Sequence, residues 1–144
     1  MTAPAHVSLI TLGVTDVARA TRFYEALGWR RSSASVEDEV SFFHTAGAIV
    51  GVYDERRLAE DVRLPGEEPS RFRGVSLAIN VGTEAEVDAA LEAAGNAGAK
   101  VVEGEPTSWG GYVGYFTDPD GHVWELAHNP GFPLSPDGSI TIPE

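Results

Sequence analysis

An internal repeat limits the folds open to this chain more than any other feature. Val7-Ser8-Leu9 recurs as Val75-Ser76-Leu77, and each triplet opens an apolar, β-branched run, Val7 to Val14 and Val75 to Val81. Runs of this kind read as largely buried strands. Each ends in Val just before a helix-opening segment. In the first half Thr15-Asp16 supplies an N-cap, and Val17, Ala20, Phe23, Tyr24 and Leu27 follow on one helical face. In the second half Thr83, with Glu86 three residues on, forms a capping box ahead of a helix carrying Val87, Ala90, Leu91 and Ala94. Gly28 and Gly98 sit where a left-handed residue ends each helix.

Three strands are predicted after each helix. In the first half they are Trp29 to Ser35, Val40 to Thr45 and Ala48 to Tyr53, with Ala46-Gly47 as the last turn. In the second half they are Ala99 to Glu103, Tyr112 to Thr117 and His122 to His128. The final pair is joined by Asp118-Pro119-Asp120-Gly121, a strong turn sequence. A duplicated βαβββ unit follows. Neither copy buries its sheet face alone, so the two are expected to pack together or to swap between subunits. The expected layout is one domain over 1–144: a module at about 6–53, a linker at about 54–73, a second module at about 74–128, and a tail at 129–144. The linker is dense in charge and broken by Pro65, Gly66, Glu67, Glu68 and Pro69, with room for a helical turn around Arg57 to Asp61. The tail, rich in Pro and Gly, is expected to wrap the surface or meet a partner chain.

Composition narrows the function. A net charge of −12 argues against nucleic acid, because phosphate binding needs clustered Lys and Arg. The same charge serves solubility, or attraction of a cationic ligand. No stretch approaches the ~20 apolar residues of a membrane span. The opening Met1-Thr2-Ala3-Pro4-Ala5 lacks a signal-peptide pattern, and a cytoplasmic location is the default expectation. With 0 cysteines, disulfides and thiolate metal sites are excluded.

Two motifs then carry a resemblance. Leu12-Gly13-Val14-Thr15-Asp16 with Phe23-Tyr24-Glu25-Ala26-Leu27-Gly28-Trp29 resembles the opening of vicinal oxygen chelate proteins, the glyoxalase/bleomycin-resistance/extradiol dioxygenase superfamily. Phe116-Thr117-Asp118-Pro119-Asp120-Gly121-His122-Val123-Trp124-Glu125-Leu126 resembles that superfamily's closing hairpin. Together with the duplication, the resemblance covers residues 6 to 128. It implies an α+β fold of tandem βαβββ modules, with curved mixed sheets around a cavity. In metal-using members four side chains, normally His, Glu or Gln, hold one divalent ion. They come from the first and last strand of each module. The chemistry includes glutathione-dependent isomerisation, extradiol ring cleavage, epimerisation and thiol addition to an epoxide. Metal-free members bind and sequester drugs.

Carried onto this sequence, the four ligand positions fall on Leu9, Gly51, Ser76 and Glu125. Only Glu125 is a competent ligand. A slip of one residue substitutes Ser8 or Ile10, Val75 or Leu77, and Val50 or Val52, none of which normally holds a divalent ion. Of the histidines, His122 and His128 have the wrong strand parity relative to Glu125, as His6 does relative to Leu9, while the facing of His44 is open. No cofactor is therefore expected, with a reduced divalent-metal site at Glu125 as the alternative. Without a Lewis acid, Glu125 is the catalytic candidate as a general base. Contact with a cationic ligand or a structural tie to Arg or Tyr are its other possible roles.

Candidate ligand-binding residues are Asn80, a polar break in an apolar strand on the same parity as Ser76, together with Trp109, Tyr112, Tyr115 and Phe42 as an aromatic wall. Core packing is the competing role for these aromatics, and Trp124 is expected in the core under a helix. The resulting expectation is a small-molecule binding protein lacking the usual four-ligand site. The alternative is a lyase, isomerase or dioxygenase working through Glu125. A homodimer is also expected.

Overall fold

The computed structural model describes residue 3, residues 5–64 and residues 72–144. The breakers Pro65 to Pro69, and Met1, Thr2 and Pro4 of the opening segment, lie outside the described residues. The chain divides into two compact units, Met1–Glu67 and Glu68–Glu144. The architecture is mixed α+β, with one sheet in each unit.

In the N-terminal unit, β1 (Leu9–Val14) leads into α1 (Val17–Ala26), followed by β2 (Val40–Phe43) and β3 (Ile49–Asp54). The sheet order is β1-β3-β2, with β1 parallel to β3 and β2 antiparallel to it. Asp16 caps α1 by accepting from the Arg19 N–H at 3.0 Å, and Gly28 follows at φ +90°. Strand alternation directs Leu12, Val14, Val50 and Val52 at the helix, where Phe23 and Tyr24 close the core. Tyr24 sits between Trp29 and Phe43, with ring centroids 5.2 and 5.6 Å away. The strand predicted over Trp29 to Ser35 is not formed. It is reduced to a single bridge, Arg31 to Phe43. Its serines bond the backbone instead: Ser32 Oγ accepts from the Ala34 N–H and Ser35 Oγ from the Phe42 N–H. Such local bonds compete with a ladder.

The helical turn expected in the linker is a full helix, α2 (Glu55–Asp61), beginning two residues earlier than the turn. Asp54 starts it by accepting from the Arg56 and Arg57 N–H groups, both at 3.0 Å. This helix lies on the sheet face opposite α1. A Cβ on Gly13 would stand 3.1 Å from Glu55 Cβ and 3.3 Å from Leu58 Cδ2. Burial, and then the neighbouring Asp61 carboxylate, push the Tyr53 phenol above its usual range.

In the C-terminal unit, β4 (Ser76–Asn80), α3 (Glu84–Asn96), β5 (Lys100–Pro106), β6 (Tyr112–Thr117) and β7 (Val123–His128) follow in turn. They build a sheet of order β4-β7-β6-β5, with β4 parallel to β7. Thr83 accepts from the Glu86 N–H, and Glu86 reaches back to the N–H of Gly82 rather than of Thr83. Val87, Leu91 and Ala94 of α3 pack on Phe116, Trp124 and Leu126, as expected for Trp124. Phe116 and Trp124 stack at 6.2 Å.

Close approach of α3 to the sheet depends on Gly114. A Cβ there would lie 2.4 Å from Leu91 Cδ1 and 2.8 Å from the Val102 carbonyl oxygen. Overpacking of this kind costs about 1–3 kcal/mol. Gly114→Ala should lower unfolding stability by that amount in a urea titration. Gly47→Ala, whose Cβ would meet nothing within 4 Å, should change it by less than about 0.5 kcal/mol. Equal effects of the two would contradict the packing described.

Candidate functional site

The face of the C-terminal sheet turned away from α3 is set by strand register. Ala78, Glu125, Tyr115 and Val102 stand side by side across β4, β7, β6 and β5. One row towards the start of β4 lie Ser76, Val123, Thr117 and Lys100. One row the other way lie Asn80, Ala127, Val113 and Glu105. Glu125 therefore occupies the middle of a mostly uncharged face. On one side it has a phenol, on the other three small or polar side chains. The Tyr115 hydroxyl donates toward the Glu125 carboxylate. Burial, and then the charge and hydrogen bond of Glu125, push the Tyr115 phenol above its usual range. Directly opposed side chains on adjacent strands stand close enough for such a contact.

The register of this pair descends from a local device. Asp118, 4% exposed, accepts from the N–H groups of Asp120 and His122, both at 2.9 Å. Gly121 takes φ +83° to complete the turn. Thr117 then pairs with Val123 and Tyr115 with Glu125.

The structure does not bring the expected aromatic wall together. Tyr112 is three residues from Tyr115 on one strand, so the two face opposite ways. Tyr112 points to α3, its hydroxyl donating to Asp88 at 2.7 Å. Its ring lies where a side chain on Gly104 would project, 2.3 Å from the Cβ that residue lacks. Trp109, 54% exposed, belongs to the loop between β5 and β6 and folds its ring over Gly111. Asn80 does share the face of Glu125, one row away and half-buried. Ala78 and Val102 were not singled out from sequence, yet they complete the row of Glu125. The connection closes between Asp118 and His122, whose carbonyl accepts from the Asp118 N–H at 3.0 Å; counting from the four residues Asp118–Gly121 alone would set Tyr115 opposite Trp124.

In the N-terminal unit, Phe42 pairs with Gly51 across β2 and β3. Its ring fills the space a side chain at Gly51 would need, with Cδ1 3.2 Å from a built Cβ. Leu9 is exposed and pairs with Ile49. The histidines serve elsewhere. His122 Nδ1 receives a bond from Arg73 at 3.2 Å, and His128 Nδ1 lies 3.2 Å from the Val81 carbonyl oxygen. His6 and His44 are exposed.

A family model for the Glyoxalase/Bleomycin resistance protein/Dioxygenase superfamily matches residues 5–126. The chain belongs to this superfamily. A glyoxalase-related enzyme from Fulvimarina pelagi is 34% identical, with a TM-score of 0.85 over 98% of this chain and 100% of that one. A superfamily enzyme from Burkholderia phytofirmans PsJN shares the fold at 20% identity, with a TM-score of 0.76 over 86% and 98% of the two chains. So does a lactoylglutathione lyase from Agrobacterium tumefaciens, at 20% identity and a TM-score of 0.65, over 89% and 96%. No curated protein matches the chain.

The superfamily's divalent ion does not fit the residues present. Of the four inherited positions, Leu9 and Gly51 offer no ligand atom on a side chain, and Ser76 offers a neutral hydroxyl. The place of a side chain at Gly51 is taken by the Phe42 ring. Among the described residues no group of three or more His, Cys, Asp and Glu is arranged to hold a metal. Among them, too, no helix is long and apolar enough to cross a membrane.

On the other side of the C-terminal sheet, a recess of about 510 Å³ lies between α3 and β5, lined by Asp88, Leu91, Glu92, Val101, Glu103 and Tyr112, among others. It is remote from Glu125, because Tyr112 and Glu125 belong to opposite faces. The hydrogen bond to Asp88, then desolvation and the charges of Asp88, Glu84 and Glu103, raise the Tyr112 phenol above its usual range. An Asp88→Asn variant should bring its ionisation back down, read by ultraviolet absorbance in an alkaline titration against a Tyr112→Phe reference. No change in the tyrosine titration would refute the contact.

Proposed function

We propose that this protein binds a small organic molecule on the Glu125 face of its C-terminal sheet, without the four-ligand metal site of its superfamily. The observation that carries this reading is the Tyr115–Glu125 pair at the middle of that face. A carboxylate accepts at about four lone-pair sites, and one phenol leaves most of them for other donors. Ser76 and Asn80 add polar contacts one row away on either side of Ala78, and the small Ala78 leaves room beside Glu125. Val102 and Val123 supply apolar surface. A few placed polar groups on an otherwise apolar surface is the usual make-up of a small-molecule site.

The relationship to the Fulvimarina pelagi protein, described as a glyoxalase-related enzyme, supports a second reading. In it Glu125 is a general base that takes a proton from the bound molecule, and Tyr115 is the adjacent hydrogen-bond donor. The reaction classes open to it are those of a lyase, isomerase or dioxygenase. Turnover lost in Glu125→Gln at saturating ligand separates this reading from simple binding. A cytoplasmic homodimer is the setting we propose.

The site itself is tested by thermal shift with a panel of cationic, neutral and anionic aromatic compounds. A ligand at 100 times its Kd stabilises the folded state by about 2.7 kcal/mol. Compounds that raise the melting temperature of the native protein should fail to do so with Ala78→Leu, which fills the space beside Glu125. Undiminished shifts in that variant would place binding elsewhere.

A further inference from the structure

We infer that the Glu125 face selects an organic cation: a protonated amine carried on a compact apolar or aromatic body. The inference rests on the binding-site reading above and names the ligand class for that site. It starts from the distribution of charge across the face. Four titratable groups lie on it, namely Glu125, Tyr115, Lys100 and Glu105. Lys100 and Glu105 are both on β5, two strands from Glu125 and one row away in opposite directions. Both are exposed. Over β4 and β7, where Ala78 leaves space, Glu125 is the single charged side chain. Among the described residues, Tyr115 is its one side-chain partner.

A half-buried carboxylate with one neutral donor holds unused acceptor capacity beside apolar neighbours. An ammonium group satisfies it with a hydrogen bond in which both partners are charged, so ion-pair attraction adds to the bond. The neighbouring Tyr115 ring, 38% exposed, adds the attraction of its π-face for a cation. A neutral hydroxyl makes the bond to the carboxylate without the ion-pair attraction. A carboxylate ligand meets repulsion from Glu125 and from the chain's net charge of −12. Asn80 and Ser76 flank Ala78 about 13 Å apart along β4, so one or the other offers an oxygen acceptor to a further N–H of the same ammonium.

Three probes of nearly equal shape test the inference: benzylamine, benzyl alcohol and benzoate. Each is titrated into the full-length ¹⁵N-labelled protein, following the amides of Ser76, Ala78, Asn80, Tyr115 and Glu125. The expected result is that benzylamine shifts these amides with a Kd at least about tenfold below that of benzyl alcohol, the factor that about 1.4 kcal/mol of ion-pair attraction provides. Benzoate should leave them unmoved. In Glu125→Gln the benzylamine Kd should rise to that of the alcohol, with resonances elsewhere unchanged as the check on folding. If that variant fails to fold, salt provides an independent arm in the native protein. Added NaCl should weaken benzylamine and leave benzyl alcohol unaffected. Equal affinities for the three probes at these amides, or no salt effect on benzylamine, would overturn the cation preference while leaving the site. If no probe moves these amides, the site reading falls with the inference.

Discussion

The geometry of the candidate site rests on the turn held by Asp118. Its buried carboxylate gathers two backbone N–H groups that would otherwise lack partners in a sharp reversal. That fixes how β6 returns into β7. A hairpin register is all-or-none: a slip of one residue would send Glu125 to the α3 side and Trp124 out of the core. With the turn in place, Phe116 and Trp124 stack under α3, and Tyr115 and Glu125 meet on the other face. Core and site are thus two outcomes of one pairing. The parallel partner β4 then sets what stands on the far side of Glu125, and Ala78 at that position keeps it accessible.

The two units show how a repeated plan diverges. Both place the first strand parallel and next to the last, and both end the module's helix at a glycine in the left-handed region. In the N-terminal unit the serine-rich segment after α1 makes local bonds and leaves a three-stranded sheet, whereas β5 completes four strands in the C-terminal unit. The corresponding positions on the two last strands are Gly51 and Glu125. At the first, an aromatic ring from β2 occupies the side-chain space; at the second, a carboxylate faces a phenol. The superfamily fold survives these replacements because it rests on the helix-facing residues, which alternate with the ones that changed.

What could be read from the sequence was governed by locality. The caps at Asp16 and Thr83, the glycines at 28 and 98 and the Asp118 turn act over a few residues, and the structure shows each of them. The missing strand at Trp29 to Ser35 failed for a local reason as well, since its serine hydroxyls compete for backbone groups. Strand period divides the expected aromatic wall. A spacing of three separates Tyr112 from Tyr115 onto opposite faces, and only the second reaches Glu125. That β6 and β7 pair across the Asp118 turn was available from the sequence, although counting from the four-residue turn would set Tyr115 opposite Trp124, and only closure between Asp118 and His122 sets it opposite Glu125. The Phe42 ring over Gly51 was not available from the sequence, because it depends on a side-chain rotamer rather than on spacing.

We propose that Glu125 works through organic donors and its tyrosine neighbour, not as the remnant of a metal site. Elemental analysis of protein purified without chelators tests it most directly, combined with re-addition of Mg²⁺, Mn²⁺, Fe²⁺, Ni²⁺ and Zn²⁺ under equilibrium dialysis. The prediction is far less than one equivalent of any divalent ion per chain, unchanged in Glu125→Gln. A stoichiometric ion that disappears in Glu125→Gln would contradict it.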